Sequence, residues 1–373
     1  MGSGTAEPFP LDSLILYSRW DLSVLKYFKN QPVISIVTAT YNKLVLTQSF
    51  WASLLSHPPG EPWEIIWIDD GSTDGTREWL DQLGALSIEL LAKSSEPRAS
   101  TDSPAIIQPC SNPPLNIRVI LNNKNLGYAA NNNLGAHSAH GDILVFLNND
   151  LVLTPGWIEP LLEVLNVTPP PSNFKTQPQR TGLNQRMGII GNVQLQVATG
   201  LIDHAGIYFD LVGMPVHQFK NRPKSVLSKE GIHCRAVTAA CWCVRREVFL
   251  EAGGFDPGYR NGLEDIDLCL RLGKLGYSHC VEYRSVIWHH VSSSPGRTKF
   301  NDANRALFLK EWAGVSAKYG QEEWPREYLK RVLRNPLKLN LQKTVDALLR
   351  VAGLRKGDSA WAAHQRKEFL ARS

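Results

Sequence analysis

Three short apolar segments, each followed by a polar loop and a helix-forming stretch, constrain the fold of this chain more than any other feature. Val33–Thr38 and Glu64–Ile68 are rich in β-branched residues, and Ile143–Leu147 consists of five apolar residues in a row. Runs of this length, bounded by polar residues, are typical of buried strands. Because strands alternate with helices, the sequence predicts an α/β fold with a mixed, mainly parallel sheet flanked by helices.

Polar side chains follow each of these three strands, in the segments Thr38–Asn42, Asp69–Asp74 and Asn148–Asp150. Since the carboxyl ends of parallel strands lie on one edge of a sheet, these side chains are predicted to share a pocket. Clustered carboxylates repel one another unless a cation or hydrogen-bond donors neutralise them. Asp oxygens that leave positions open for phosphate suit Mg²⁺ or Mn²⁺. Taken alone, the segment Asn148–Asp150 is equally consistent with an ordinary polar loop that follows a strand and binds no ligand.

The loops also predict where helices begin and where the sheet is interrupted. Thr154 is placed to cap a helix that has Pro155 at its first position and continues to Val167. Asp74 or Thr73 is placed to cap a helix near Thr76–Leu83. Segments 93–116 and 168–187 are rich in Ser, Pro and Asn and are predicted to be surface insertions.

Positive charge is concentrated near the end of the chain. Of a net charge of +5, residues 321–373 carry twelve Lys or Arg and six Asp or Glu, with amphipathic stretches near 324–333 and 337–351. This predicts contact with anionic lipid or an acidic polymer, with peripheral binding to a membrane surface as one form, or else a solvated helical face. No nucleic-acid partner is expected. No apolar run approaches the roughly 18–20 residues that cross a bilayer, and no secretory signal is evident. A cytoplasmic location, peripheral at the membrane face if the tail binds lipid, is the expectation.

Seven short motifs follow one another along the chain between about Pro32 and Ser294. They are Val37-Thr-Ala-Thr-Tyr-Asn42, Ile68-Asp-Asp-Gly-Ser-Thr-Asp74, Asn125-Leu-Gly-Tyr128 with Asn133-Leu-Gly135, Phe146-Leu-Asn-Asn-Asp150, Gly253-Gly-Phe-Asp256, Leu263-Glu-Asp-Ile-Asp-Leu-Cys-Leu-Arg271 and Trp288-His-His-Val-Ser-Ser-Ser294. Together they resemble glycosyltransferase family 2, and its rhamnosyltransferase-like branch in particular.

The resemblance implies a GT-A (Rossmann-like) catalytic domain over residues 32–295. An N-terminal extension, residues 1–31, would precede it, and a basic helical region, residues 296–373, would follow. The implied activity is transfer of a sugar, with inversion at the anomeric carbon, from a nucleotide sugar to a hydroxyl of a glycan or lipid-linked glycan.

A donor pocket is implied at the ends of the first two strands. Asp70 would accept the N3–H of a pyrimidine, a hydrogen that uracil and thymine carry and cytosine lacks. This favours UDP- or dTDP-sugars, including dTDP-rhamnose. Gly127 and Asn133 would shape the ribose side, with a structural role as the alternative. The residues implied for nucleotide-sugar binding are Ala39, Thr40, Tyr41, Asp70, Gly127, Asn133, Asn148 and Asn149.

Asn148-Asn149-Asp150 occupies the position of the Asp-x-Asp motif of the family. Asn148 replaces the first acid, so Asp150 is the remaining carboxylate ligand for Mn²⁺ or Mg²⁺. His289 matches the late histidine of the family and would bind the metal or a phosphate oxygen, with His290 as the alternative.

Glu264-Asp265 matches the acidic motif that supplies the catalytic base. The resemblance assigns Asp265 to take the proton of the acceptor hydroxyl, and its place at a helix N-terminus favours the ionised carboxylate. Trp242, Tyr259 and Glu264 are predicted acceptor contacts, although burial in the core is an equal alternative for Trp242 and a capping role is open for Glu264.

Two other classes of protein compete with this interpretation. A sugar nucleotidyltransferase would carry a glycine-rich basic loop after the first strand, and residues 38–43 lack those glycines. A non-catalytic protein that binds nucleotide sugars or glycans is left open by Asn148, although Asp265 and His289 argue against it.

Overall fold

The computed structural model describes residues 33–94, 112, 114–166, 186–291 and 297–371. The predicted N-terminal extension, residues 1–31, and most of the two predicted insertions lie outside these residues. Within them, the strands are β1 (Ile34–Thr40), β2 (Trp63–Asp69), β3 (Asn116–Leu121), β4 (Ile143–Leu147), β5 (Leu151–Val152), β6 (Arg186–Gln196), β7 (Ile202–His204), β8 (Ile207–Phe209), β9 (Pro215–His217), β10 (Ile232–Cys234), β11 (Cys241–Arg245) and β12 (Tyr277–His289).

Helices lie between and after these strands. In the same part of the chain they are α1 (Leu44–Ser56), α2 (Thr76–Ser94), α3 (Tyr128–Ser138), α4 (Glu159–Asn166), α5 (Arg246–Glu251), α6 (Glu264–Lys274), α7 (Asn301–Arg334), α8 (Leu341–Val351) and α9 (Ala360–Ala371).

The main sheet has the order β10-β12-β6-β11-β4-β1-β2-β3, with β5 paired to β12 and β7 to β6. Its three longest ladders, β6 with β12, β1 with β2 and β2 with β3, are parallel, and β11 lies antiparallel between β4 and β6. The predicted mixed, mainly parallel sheet flanked by helices is confirmed.

The apolar run of β4 packs on both faces of this sheet. Ile143 and Val145 lie in one core with Phe50 of α1, whereas Leu144 and Phe146 lie in the other. A strand covered on both faces reads as a continuous apolar run because neither set of alternating side chains faces water. The same alternation runs through β1 and β2, and the cores therefore fix the strand ends that carry the polar loops.

The predicted start of the helix at Pro155 is wrong, because residues 154–157 form a turn. The Trp157 N–H donates to the Thr154 carbonyl oxygen at 3.2 Å. Gly156 has φ of 70°, which suits a turn with proline followed by glycine and does not suit a helix. The Thr154 hydroxyl donates to the Val286 carbonyl oxygen at 2.6 Å rather than capping a helix. The helix of this segment, α4, begins at Glu159.

The C-terminal helices pack on the rest of the chain through α7. Phe308 and Trp312 near its start belong to the same core as Leu144 and Phe146 of β4. Farther along, Trp324 and Tyr328 form a third apolar cluster with the segment 211–212. None of the helices in the described ranges has the length and apolar composition that crossing a bilayer requires.

Two glycines of α7 provide a test of this packing. A Cβ at Gly320 would overlap the backbone carbonyl of Asp210, whereas a Cβ at Gly314 meets no atom within 4 Å. We expect Gly320→Ala to lower the free energy of unfolding by about 1–3 kcal/mol through overpacking. Gly314→Ala should raise it by about 0.5–1 kcal/mol, because alanine loses less backbone entropy in a helix. Chemical denaturation of both variants measures the two shifts, and equal shifts would contradict the close contact at Gly320.

Candidate functional site

Two polar loops meet at the carboxyl ends of β1 and β2. Hydrogen bonds join them: the Asn42 N–H donates to Ser72 Oγ at 2.8 Å, and the Thr73 N–H donates to Asn42 Oδ1 at 2.8 Å. The ends of β1, β2 and β4 lie side by side because these strands are parallel neighbours. The predicted convergence of the three polar segments is therefore a feature of the fold.

Asp74 fixes the starts of the two helices that follow these strands. Its Oδ2 accepts the Leu44 N–H at 3.1 Å, and its Oδ1 accepts the Thr76 N–H at 3.1 Å. Burial raises the pKa of Asp74, but the hydrogen bonds from Thr76 and the backbone outweigh that effect and lower it. Of the two predicted capping residues, Asp74 makes the contact to α2, and it also binds α1.

Asp70 binds the glycine-containing turn before α3. Its two carboxylate oxygens accept the Leu126 N–H at 2.6 Å and the Gly127 N–H at 3.0 Å. Gly127 has φ of 87°, a conformation that side chains disfavour. Since a carboxylate oxygen has two lone pairs, Asp70 keeps acceptor capacity for a further donor. Tyr41, on the neighbouring loop, is about half exposed.

Asp150 and His289 meet because β5 pairs with the end of β12. The antiparallel register sets His289 opposite Leu151, and the His290 N–H donates to the Asp150 carbonyl oxygen at 3.0 Å. His289 Nε2 lies 3.4 Å from Asp150 Oδ1. Of the two adjacent histidines, His289 thus faces the Asp150 carboxylate with its side chain.

A row of alternating charges runs through this pair. Lys43 Nζ lies 3.5 Å from Asp150 Oδ2 on one side. On the other, His289 Nδ1 lies 3.3 Å from Asp203 Oδ2, and Lys220 Nζ lies 2.8 Å from Asp203 Oδ1. The sequence did not indicate Lys43, Asp203 or Lys220, because each contact joins residues distant in the chain. The one sequence signal for any of these three residues is the position of Asp203, a charged residue inside the short strand β7.

The two carboxylates around His289 determine its charge. Burial lowers the pKa of the imidazole, but the hydrogen bonds to Asp150 and Asp203 prevail and raise it to about 9. Burial raises the pKa of Asp203, and the hydrogen bonds from His289 and Lys220 more than reverse this, so its pKa lies well below the usual value.

The residues around Asp150 suit a divalent cation that also binds a diphosphate. Among the described residues, no three His, Cys, Asp or Glu side chains are arranged to hold a metal by themselves. Asp150 supplies one oxygen donor, and His289 supplies one nitrogen donor once its imidazole releases its proton to the solvent. Mg²⁺-type sites often combine one or two protein ligands with substrate phosphates. This donor set fits Mn²⁺ or Mg²⁺ bound together with phosphate oxygens.

Asp265 lies at the start of α6 with its carboxylate bound by backbone groups. Its Oδ2 accepts the Ala239 N–H at 3.0 Å, and its Oδ1 accepts the Ile266 N–H at 2.8 Å. Burial raises the pKa of Asp265, an effect that the hydrogen bonds from Ala239 and Ile266 oppose without cancelling. A carboxylate with a raised pKa is better suited to accept a proton than an ordinary aspartate.

The segment Ala239–Ala240 connects the three parts of the site. The Asn148 N–H donates to the Ala240 carbonyl oxygen at 2.9 Å. Tyr128, which follows the turn held by Asp70, donates its hydroxyl to the Ala239 carbonyl oxygen at 2.9 Å. Because Ala239 also binds Asp265, one short segment contacts Asn148, Tyr128 and the predicted catalytic residue Asp265.

Two of the predicted binding residues make hydrogen bonds within the protein. Asn133 accepts the Phe255 N–H at 2.8 Å and donates to the Phe255 carbonyl oxygen at 2.8 Å. Asn149 donates to Thr47 Oγ1 of α1 at 2.8 Å. These bonds consume much of the polar capacity that a ribose or phosphate would need.

The side chains predicted to contact an acceptor are largely enclosed. Trp242 is fully buried and packs on Phe146 and Phe255, which is the core alternative. Tyr259 is buried and donates its hydroxyl to Glu311 at 2.8 Å. Glu264 accepts the Gly262 N–H at 2.6 Å.

The model of Glycosyl transferase family 2 matches residues 35–93 and 99–249 of the chain. An O-antigen biosynthesis protein, RfbC, of Myxococcus xanthus is 32% identical over 174 residues, covering 45% of this chain and 12% of its own. An N-acetylglucosaminyl-diphospho-decaprenol L-rhamnosyltransferase of Mycobacterium tuberculosis is 31% identical over 120 residues, covering 32% of this chain and 38% of its own. The chain thus spans well under half the length of these relatives.

Among solved structures, GalNAc-T7 with UDP, GalNAc and Mn²⁺ has a TM-score of 0.53 at 15% identity, covering 92% of this chain and 58% of that one. Its similarity shows that the described sheet and helices have the GT-A fold. Since the family model covers more than half of the residues, the chain belongs to glycosyltransferase family 2.

Proposed function

We propose that this chain is an inverting glycosyltransferase that moves a sugar from a UDP- or dTDP-sugar to a hydroxyl of a glycan or lipid-linked glycan. The observation that carries the proposal is the contact of one segment, Ala239–Ala240, with Asp265, with Tyr128 and with Asn148. A base, a nucleotide pocket and a diphosphate position must be held at fixed distances for a single displacement, and this segment provides such a connection.

The donor would lie across the ends of β1, β2 and β4. Ala39, Thr40 and Tyr41 line the base pocket, and Asp70 accepts the pyrimidine N3–H with its remaining lone pairs. Asp70 also holds the Gly127 N–H, so base binding and the shape of the turn depend on one carboxylate. The rhamnosyltransferase named above favours dTDP-rhamnose as the first donor to try.

The diphosphate would be neutralised beside Asp150. Asp150 and His289 would hold Mn²⁺ or Mg²⁺, which polarises phosphate oxygens and stabilises the charge of the leaving nucleotide. Lys43, 3.5 Å from Asp150 Oδ2, adds a fixed positive charge at the same place.

Asp265 would act as the base on the opposite side of the sugar. Its oxygens remain oriented by the Ala239 and Ile266 N–H groups, and their lone pairs accept the proton of the attacking hydroxyl as the new bond forms. Glu264, next to it, would contribute to acceptor binding.

The test is release of nucleotide from UDP- and dTDP-sugars in the presence of Mn²⁺, with and without saccharide acceptors. We expect release that depends on both Mn²⁺ and the acceptor. A protein that binds the nucleotide but releases none from any donor would instead be a non-catalytic nucleotide-sugar-binding protein, the second candidate that Asn148 keeps open.

Base selectivity provides a separate prediction. Cytosine lacks the N3–H that Asp70 is proposed to accept, and binding it leaves a buried carboxylate facing an acceptor nitrogen. We expect CDP to bind about 5- to 150-fold more weakly than UDP or dTDP, since an unpaired buried polar group costs about 1–3 kcal/mol. Calorimetric titration with the three nucleotides and Mn²⁺ measures the difference. Equal affinity for CDP would remove Asp70 from base recognition.

A further inference from the structure

The helix α8 exposes one row of apolar side chains. Leu341, Val345 and Leu348 recur at intervals of four and three residues, which sets them on one helix face. Their exposures are 73%, 46% and 53%. Leu337 before the helix and Leu354 after it are 97% and 78% exposed, so the apolar surface continues past both ends.

The opposite face of α8 buries an ion pair. Arg350 Nε lies 3.0 Å from Asp346 Oδ1, and both side chains are almost inaccessible to water. Arg355 binds the same Asp346 oxygen at 2.9 Å. Burial of a salt bridge stabilises little, whereas leaving leucines in water loses their transfer free energy. An ordinary surface helix buries its apolar side chains and exposes its charged ones, whereas α8 buries an ion pair and exposes leucines.

The orientation of α8 is fixed at its start. Asn340 Oδ1 accepts the Lys343 N–H at 3.0 Å and caps the helix. The Asn340 N–H donates to the Tyr328 hydroxyl of α7 at 3.1 Å, and Ala347 lies in the apolar cluster with Tyr328. These contacts prevent α8 from turning its leucines inward, so the outward face is a property of the fold.

Positive charge surrounds the apolar face. Residues 330–356 contain eight Lys or Arg and one acid, Asp346, and of these Arg350 and Asp346 are buried together as an ion pair. Arg334 is exposed three residues before Leu337, and Lys356 is exposed two residues after Leu354. A second copy of the chain would bring equal positive charges together, which opposes self-association through this face. A partner for it has to be negatively charged and apolar.

We propose that residues 333–356, with α8 at their centre, dock on the surface of a membrane that contains anionic lipid. Outward Leu and Val flanked by Lys and Arg are the composition of helices that lie in the interfacial plane of a bilayer. The exposed apolar residues here are all aliphatic, whereas the cores of protein interfaces are enriched in aromatic residues and Met. Anionic lipid attracts Lys and Arg side chains close to its surface, which adds to the burial of the apolar side chains.

This inference lies outside the transfer site, and its test does not use transfer. The full chain is mixed with vesicles of phosphatidylcholine, with or without phosphatidylglycerol, and the bound fraction is measured by co-sedimentation. We expect binding to the phosphatidylglycerol vesicles that weakens at high salt, because screening reduces the attraction of the cations. A chain that stays in the supernatant with both vesicles would overturn the proposal.

Two variants locate the surface. Leu341→Glu combined with Leu348→Glu should lower vesicle affinity at least about tenfold, because both leucines lose their burial and gain negative charge. Leu275→Glu alters a comparably exposed leucine at the end of α6 and should leave binding unchanged. Unchanged thermal unfolding would establish that both proteins fold.

Two other results would overturn the proposal. Equal vesicle binding by the double variant and the wild type would exclude α8 as the contact. A wild-type dimer in light scattering that the double variant abolishes, without vesicle binding by either, would assign the face to a second copy of the chain.

Discussion

Replacing Asp265 by Asn is expected to lower the rate of sugar transfer by about 10²- to 10⁴-fold while donor affinity stays near the wild-type value. An amide cannot take the proton of the acceptor hydroxyl, so the barrier to transfer rises although the donor pocket is intact. The measurements are kcat from nucleotide release in the presence of acceptor and donor affinity from calorimetry. Full transfer by Asp265→Asn would refute the assignment of the base.

Glu264→Gln is the matched control for this substitution. Gln keeps an oxygen that accepts the Gly262 N–H, a bond of 2.6 Å in the wild type. We expect kcat to change little and KM for the acceptor to rise, because Glu264 is proposed to bind the acceptor and not to accept its proton. The same loss of kcat in both variants would mean that the acidic pair acts as one structural unit.

The pH dependence of transfer should report the environment of Asp265. Burial raises the pKa of its carboxyl above the ordinary 3.8. A base works only when it is ionised, so kcat/KM should rise with pH through this elevated pKa and fall off in acid sooner than with an ordinary aspartate. A pH profile that remains flat down to pH values near 4 would contradict the role of a desolvated Asp265.

The sequence predicted the parts of the fold that depend on local pattern. The strands at Val33, Glu64 and Ile143 are each present within two residues of the predicted start, because strands buried on both faces need uninterrupted apolar runs. Their parallel pairing then brought the polar loops together, as expected. Asp74 at the start of α2 follows equally from local capping chemistry.

Predictions failed or stayed incomplete where distant contacts decide the outcome. A capping threonine followed by proline predicted a helix at Pro155, but the Thr154 hydroxyl binds Val286, a residue 132 positions away. The ion pair of His289 with Asp203 depends on the pairing of β6 with both β7 and β12, which no local pattern encodes. Which side chains of α8 are exposed likewise depends on the packing of α8 against α7.

The charge row around His289 bears on the proposed metal site, in which Asp150 would be the one acidic ligand. Asn148 removes one negative charge from the motif, and the structure places Asp203 on the far side of His289. A second carboxylate at this position orients the imidazole, since its Nδ1 is directed to Asp203 and its Nε2 to Asp150. Partners of this kind typically change metal affinity by about 10- to 100-fold.

Replacing Asp150 by Asn should abolish detectable Mn²⁺ binding and reduce transfer by at least about 10²-fold, because the site loses its carboxylate ligand. Manganese binding is measured by electron paramagnetic resonance with UDP present, independently of transfer. Asp203→Asn is a milder substitution beside the same histidine and should weaken Mn²⁺ binding by about 10- to 100-fold without abolishing it.

Removal of metal with EDTA should stop transfer by the wild type, and added Mn²⁺ should restore it. Undiminished transfer in EDTA would contradict the metal assignment and leave Lys43 and His289 to neutralise the diphosphate.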